Sequence, residues 1–75
     1  MEINEFIANF ADQFEETDAS VFTAETKFKE LEEWSSLIAL TVMSMIDDEY
    51  NVQLTATDMR KAHTIQDLFN IVSSR

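Results

Sequence analysis

The side chains that stand out chemically are a single histidine, His63, the serine pair Ser35-Ser36 and fifteen acids. Ser-His-Asp catalysis needs a base oriented by a carboxylate and aimed at a hydroxyl. His63 stands beside the expected start of the last helix, and no serine lies in a nucleophile-elbow pattern. An EF-hand loop needs alternating oxygen ligands, a Gly at its sharp turn and a closing Glu, and the chain has no Gly. With no Cys and one His, a zinc ligand set has nothing to build on, so no metal is expected. The serine pair remains, directly before the densest apolar run, Leu37 to Ile46. In the plain reading one of these serines caps a helix by accepting a bond from an orphan backbone N–H.

The elements that must position this pair belong to a small chain. Seventy-five residues and 8.7 kDa allow a single domain, 1–75, with one core and no room for a walled catalytic cleft, so no enzymatic turnover is expected. Hydrophobic residues at 45% and charged residues at 27% are the balance of a folded globule. The absence of Gly and Pro removes Gly-rich phosphate loops and the usual hairpin turns, which leaves an all-α fold. A formal charge of −10 disfavours nucleic acid and anionic bilayers and favours basic protein surfaces. The first residues, Met1-Glu2-Ile3-Asn4-Glu5, are acidic where a secretory signal would be basic, and no apolar run approaches the ~20 residues of a membrane span. A cytoplasmic protein is expected.

Periodicity and capping residues place four helices. Ile3, Phe6, Ile7, Phe10 and Phe14 make one apolar stripe and predict a first helix over about 2–15, with Glu2 and Glu5 at the positive end of its dipole. From Glu16 to Trp34 the period is lost, which predicts a long ordered connection anchored by Val21, Phe22, Phe28, Leu31 and Trp34. A second helix is expected over about 36–50, with Ala39, Val42, Met43, Ile46 and Tyr50 as its core face. Leu37, Ile38, Thr41 and Met45 then form a second apolar face, and Asp47, Asp48 and Glu49 crowd the negative end of the dipole, where they do nothing for local stability. Thr55 with Asp58 and Thr64 with Asp67 are approximate capping boxes. They predict a short third helix over about 56–61, with Met59 and Ala62 inward, and a fourth over about 65–73 that buries Ile65, Leu68, Phe69 and Val72. His63 is expected in solvent, Arg60 and Lys61 are expected to balance neighbouring acids, and Met43, Met45 and Met59 either pack the core or line an adaptable pocket.

Phe28, Leu31, Trp34, Ser36, Leu37, Tyr50, Leu54, Ile65 and Leu68 together resemble the arrangement of acyl carrier proteins over essentially the whole chain. That family's signature is similar to Leu-Gly-x-Asp-Ser-Leu, and this chain reads Leu31-Glu32-Glu33-Trp34-Ser35-Ser36-Leu37, without the Gly and with Ser35 where the Asp stands. The resemblance implies a four-helix carrier bundle with a long loop between the first two helices and a short third helix. It also implies 4'-phosphopantetheine, taken from coenzyme A by a phosphopantetheinyl transferase and esterified to Ser36, holding acyl intermediates as thioesters. Ser36 is preferred to Ser35 because Leu37 follows it directly and Tyr50 keeps the family spacing. Partners implied are acyl-transferring or condensing enzymes with basic and apolar docking surfaces. They are expected to meet a monomer through Leu37, Ile38, Thr41, Met45, Asp47 and Asp48. Fatty, polyketide-like, aryl and aminoacyl (D-alanyl or peptidyl) cargo all remain open. The alternative from another class is a non-enzymatic helical adaptor that binds a protein through the second helix, with Ser36 in a capping role only.

Overall fold

Each helix starts where a side chain takes up the orphan N–H groups that the backbone leaves at its N-terminus. In the computed structural model, which describes residues 1–75, α1 (Ile3–Ala11) opens on Glu2, whose carboxylate accepts from the N–H of Asn4 and Glu5 at 3.0 and 3.1 Å. Ser35 caps α2 (Ser36–Tyr50). Complete capping boxes open α3 (Ala56–Lys61) at Thr55/Asp58 and α4 (Ile65–Ser73) at Thr64/Asp67. The chain is all-helical, with four α-helices and no strand, and no helix is long and apolar enough to cross a membrane. Observed bounds for α2, α3 and α4 coincide with the expected ranges.

The first helix is shorter than its apolar stripe. The expectation of 2–15 fails: after Ala11 the N–H groups of Gln13 and Phe14 turn to carbonyls three residues back, and those of Glu15, Glu16 and Thr17 go to the Glu33 carboxylate at 2.8, 3.1 and 2.9 Å. In a continued helix those donors would have served the carbonyls four residues back. Phe14 is still buried, carried inward by tight turns in which Gln13 and Phe14 donate to the carbonyls of Phe10 and Ala11. The connection from 12 to 35 holds two single 3-10 turns, Ala19–Val21 and Phe28–Glu30. Phe22 and Phe28 are buried and Leu31 and Trp34 half-buried, as anchors should be, whereas Val21 is 43% exposed and anchors nothing, because the turn directs Phe22 inward instead.

One cluster of fifteen buried residues forms the core and draws on every helix and on the connection. Phe6 meets Tyr50 and Phe69 at 5.6 and 5.5 Å between ring centroids, and Asn9 Nδ2 donates to Tyr50 Oη at 2.8 Å, fastening α1 to α2. Met59 and Ala62 face inward as expected, and so do Ile65, Leu68 and Val72, with Phe69 half-buried. The connection also closes helix ends: the N–H groups of Ile65 and Gln66 reach the carbonyls of Thr26 and Ala24, and Lys29 Nζ donates to the carbonyls of Met59 and Arg60 at the negative end of α3. Arg60 and Lys61 do not balance acids. The one ion pair joins Arg75 to Asp58 at 2.7 Å, and the Arg60 guanidinium donates to Thr57 Oγ1 on its own helix.

Asp58 concentrates two roles in one carboxylate, which receives the Thr55 N–H at 3.0 Å and the Arg75 guanidinium. The bond from Arg75 and that from the Thr55 backbone hold its carboxyl at about 2, against an ordinary 3.8. A carboxyl depressed on folding stabilises the fold fully above its unfolded value and ceases to do so as pH falls through the folded one. Asp58→Asn is therefore expected to have a lower Tm at pH 7. Thermal melts between pH 4 and about 2 should also fall less steeply for the variant than for the wild type.

Candidate functional site

The segment that leads into α2 is held before the helix begins. The Trp34 N–H donates to the Leu31 carbonyl at 3.0 Å, and the indole lies across Phe28 and Phe14 with ring centroids 5.0 and 6.3 Å away. Ser35 is extended (φ −156°, ψ 173°), its Oγ accepts the Ile38 N–H at 3.2 Å, and its carbonyl accepts the first intrahelical bond from Ala39 at 2.9 Å. Ser35 is therefore the cap, and Ser36 is the first helical residue, exposed and free of that role. The first turn of α2 carries no acid, so nothing neutralises the positive dipole end around the Ser36 hydroxyl. An anionic group attached there would meet unspent N–H groups at the helix start.

Down the solvent side of α2 the large apolar groups in water are Leu37, 69% exposed, and Leu40, 62% exposed. Exposed Ser44, Asp48 and Glu49 follow, with Asp47 half-buried. This differs from the expected second face. Met45 is only 8% exposed and belongs to the core with Val42 and Ile46, while Ile38 is half-buried and packs against that core. Thr41 is half-buried and its hydroxyl donates to the Ile38 carbonyl at 2.8 Å. Rows of every fourth residue drift by about 40° per step at 3.6 residues per turn, so the row 37, 41, 45 begins in solvent and ends inside. Of the expected core face, Val42 and Ile46 are fully buried and Ala39, Met43 and Tyr50 half-buried.

The helix closes at Asn51, whose N–H still reaches the Asp47 carbonyl at 2.9 Å and whose left-handed backbone (φ 56°, ψ 40°) then turns the chain out of the helix. Asparagine tolerates that conformation better than most residues and serves here in place of the usual glycine. Asp47 and Asp48 thus lie about 16–18 Å along the axis from Ser36, at 1.5 Å per residue. Between α2 and the segment after it, Met43, Ser44, Asp47, Gln53 and Leu54 line an open concavity of about 300 Å³. Met45 and Met59 pack the core; Met43 alone of the three borders this opening. His63 is exposed at the turn into α4, its N–H donating to Asp67 at 3.0 Å.

Two residues of the site escaped the sequence reading. Leu40 was legible, because it follows Leu37 by three positions and so shares its face. Glu33 was not, since its partners lie sixteen to eighteen residues away in a segment without periodicity. Its carboxyl is held below the ordinary carboxylate value, first by the Thr17 hydroxyl at 2.7 Å and then by three backbone N–H groups. Comparison of the chain with protein-family models, with curated proteins and with solved structures finds no match.

Truncating the two serines should separate their roles. Ser35→Ala removes the cap and is expected to cost about 0.5–2 kcal/mol, a sizeable part of the roughly 4–11 kcal/mol expected of a fold this size. Ser36→Ala should stay within about 0.5 kcal/mol of the wild type in urea or thermal unfolding.

Proposed function

We propose that this chain is a carrier protein that holds acyl or related groups as thioesters on a 4'-phosphopantetheine arm at Ser36 and presents them to biosynthetic enzymes. The observation that carries the reading is the division of labour between adjacent serines: Ser35 caps the helix, so the Ser36 hydroxyl stands at its mouth with no structural duty. The residues present fit an anionic root. The hydroxyl is accessible, no acid lies in the first turn, and the dipole end favours negative charge. When bound, the arm would supply the thiol that forms the thioester. What the chain supplies is a rigid root, since α2 is fastened to α1 by Asn9–Tyr50 and to the core by Val42, Met45 and Ile46. An all-helical chain of four helices is compatible with the carrier fold that the resemblance implies.

Leu37 and Leu40 give partners an apolar landing beside Ser36, flanked by Ile38 and Thr41, and Asp47 and Asp48 give a charged rim at the far end of α2. Met45, though packed in the core, borders a concavity of this face with Thr41 and Asp48. Transferases and acyl-handling enzymes with basic and apolar docking faces suit it, and the cargo is an acyl or an aminoacyl group. The same two exposed leucines favour the second reading, a helical adaptor that binds a protein through α2.

Intact-protein mass after incubation with coenzyme A and a broad-specificity phosphopantetheinyl transferase distinguishes the two. A gain of one arm on the wild type and on Ser35→Ala, and none on Ser36→Ala, is the expected result. No gain with several transferases favours the adaptor. Lysine at both Asp47 and Asp48 should slow loading at low salt and flatten its salt dependence, as reversal of rim charges does. Unchanged loading rates would remove the acids from the docking surface.

A further inference from the structure

Every hydrogen bond to the Glu33 carboxylate comes from one short stretch of chain. Oε2 accepts the Glu15 N–H at 2.8 Å, and Oε1 accepts the N–H groups of Glu16 and Thr17 at 3.1 and 2.9 Å and the Thr17 hydroxyl at 2.7 Å. The carboxylate takes up the donors that follow the tight turns of Gln13 and Phe14 after α1, and so ties the end of that helix to the chain two residues before the Ser35 cap. Trp34, the residue between, is pinned to Phe14 and Phe28 by its ring. Polar and apolar ties therefore alternate along the approach to the modified residue: Glu33 on the backbone of 15–17, Trp34 on the aromatic core, Ser35 on the Ile38 N–H. No other side chain in the approach reaches across to the end of α1 by hydrogen bonds.

We infer that Glu33 is a positioning residue for the Ser36 hydroxyl: by fixing the end of α1 against residues 33–35, it holds the start of α2 in the one arrangement a loading enzyme can engage. The inference rests on the carrier reading. Glu33 touches no reacting atom; it acts through the segment that delivers Ser36. If the tie is released, residues 33–35 populate other arrangements, and only the competent fraction can be bound. Apparent affinity then falls in proportion to that fraction, whereas turnover of the bound complex is unchanged.

The test is steady-state loading of the full chain by a phosphopantetheinyl transferase with coenzyme A, together with amide hydrogen exchange, at a temperature where every variant is folded. Glu33→Gln should raise KM for the protein substrate by roughly 3–10-fold, corresponding to a competent fraction of about 0.1–0.3, with kcat retained. Exchange at the N–H groups of Glu15, Glu16, Thr17 and Ile38 should accelerate more than exchange at Leu68. Asp58→Asn, which loosens the fold away from this segment, serves as the control and should leave KM unchanged. Thr17→Val should shift KM in the same direction by less, and Thr17→Ser should restore it. A wild-type KM for Glu33→Gln, or an equal rise for Asp58→Asn, overturns the role of Glu33 while leaving the carrier reading intact. A wild-type chain that accepts no arm overturns the carrier reading itself.

Discussion

Residues 12–35 make almost no regular secondary structure, and what fixes them is a run of aromatic rings. Phe22, Phe14, Phe10, Phe28 and Trp34 stand with neighbouring centroids 4.9–6.3 Å apart, in tilted contacts of Phe14 with Phe10 and Phe22, edge-on contacts of Phe10 with Phe22 and of Phe28 with Phe10 and Trp34, and a stacked contact between Phe14 and Trp34. Each ring removes a large apolar area from water, and such pairs contribute about 0.5–1.5 kcal/mol beyond that burial. Phe10 and Phe14 belong to α1 and the turn after it, Phe22 and Phe28 to the connection, and Trp34 to the approach to α2. The place where α2 starts is therefore set by packing that began more than twenty residues upstream. Without this stack the connection would have no reason to lie against α1, and its carbonyls at Ala24 and Thr26 could not close the start of α4.

A chain with neither Gly nor Pro must stop and start its helices by other means, and here hydroxyls and acids share that work. Glu2, Asp18, Glu33, Asp58 and Asp67 each accept at least one backbone N–H. For the last four, these bonds and those from neighbouring hydroxyls or Arg75 hold the carboxyl below its ordinary value. Part of the −10 charge is thus structural, spent on backbone donors that glycine turns and proline stops would have handled differently. The acids at 47–49 are of another kind, with no cap to make at the carbonyl end of α2. Cations are used sparingly and as ties: Lys29 to the end of α3, Arg75 to its start.

What could be read in advance follows from how local each cause is. The starts of α3 and α4 were legible because a capping box is complete within four residues, and α2 because its apolar density and flanking serines are contiguous. The end of α1 was hidden, since Phe14 keeps the helical spacing while its N–H turns to the Ala11 carbonyl and the donors after it go to the distant Glu33. Met45 was misplaced for a geometric reason, a row of fours rotating out of solvent and into the core. The serine pair was legible as a site, and adjacency to Leu37 pointed to Ser36; which oxygen caps the helix needed the extended backbone at Ser35.

Trp34 is the only indole in the chain; it is half-buried against Phe14 and Phe28 and stands two residues before Ser36. Its fluorescence consequently arises from one known place, at the hinge between the aromatic stack and the helix mouth. The molecule carries a native optical gauge beside its own candidate attachment point, so ligation, docking or loosening at that end can be followed by emission without a dye.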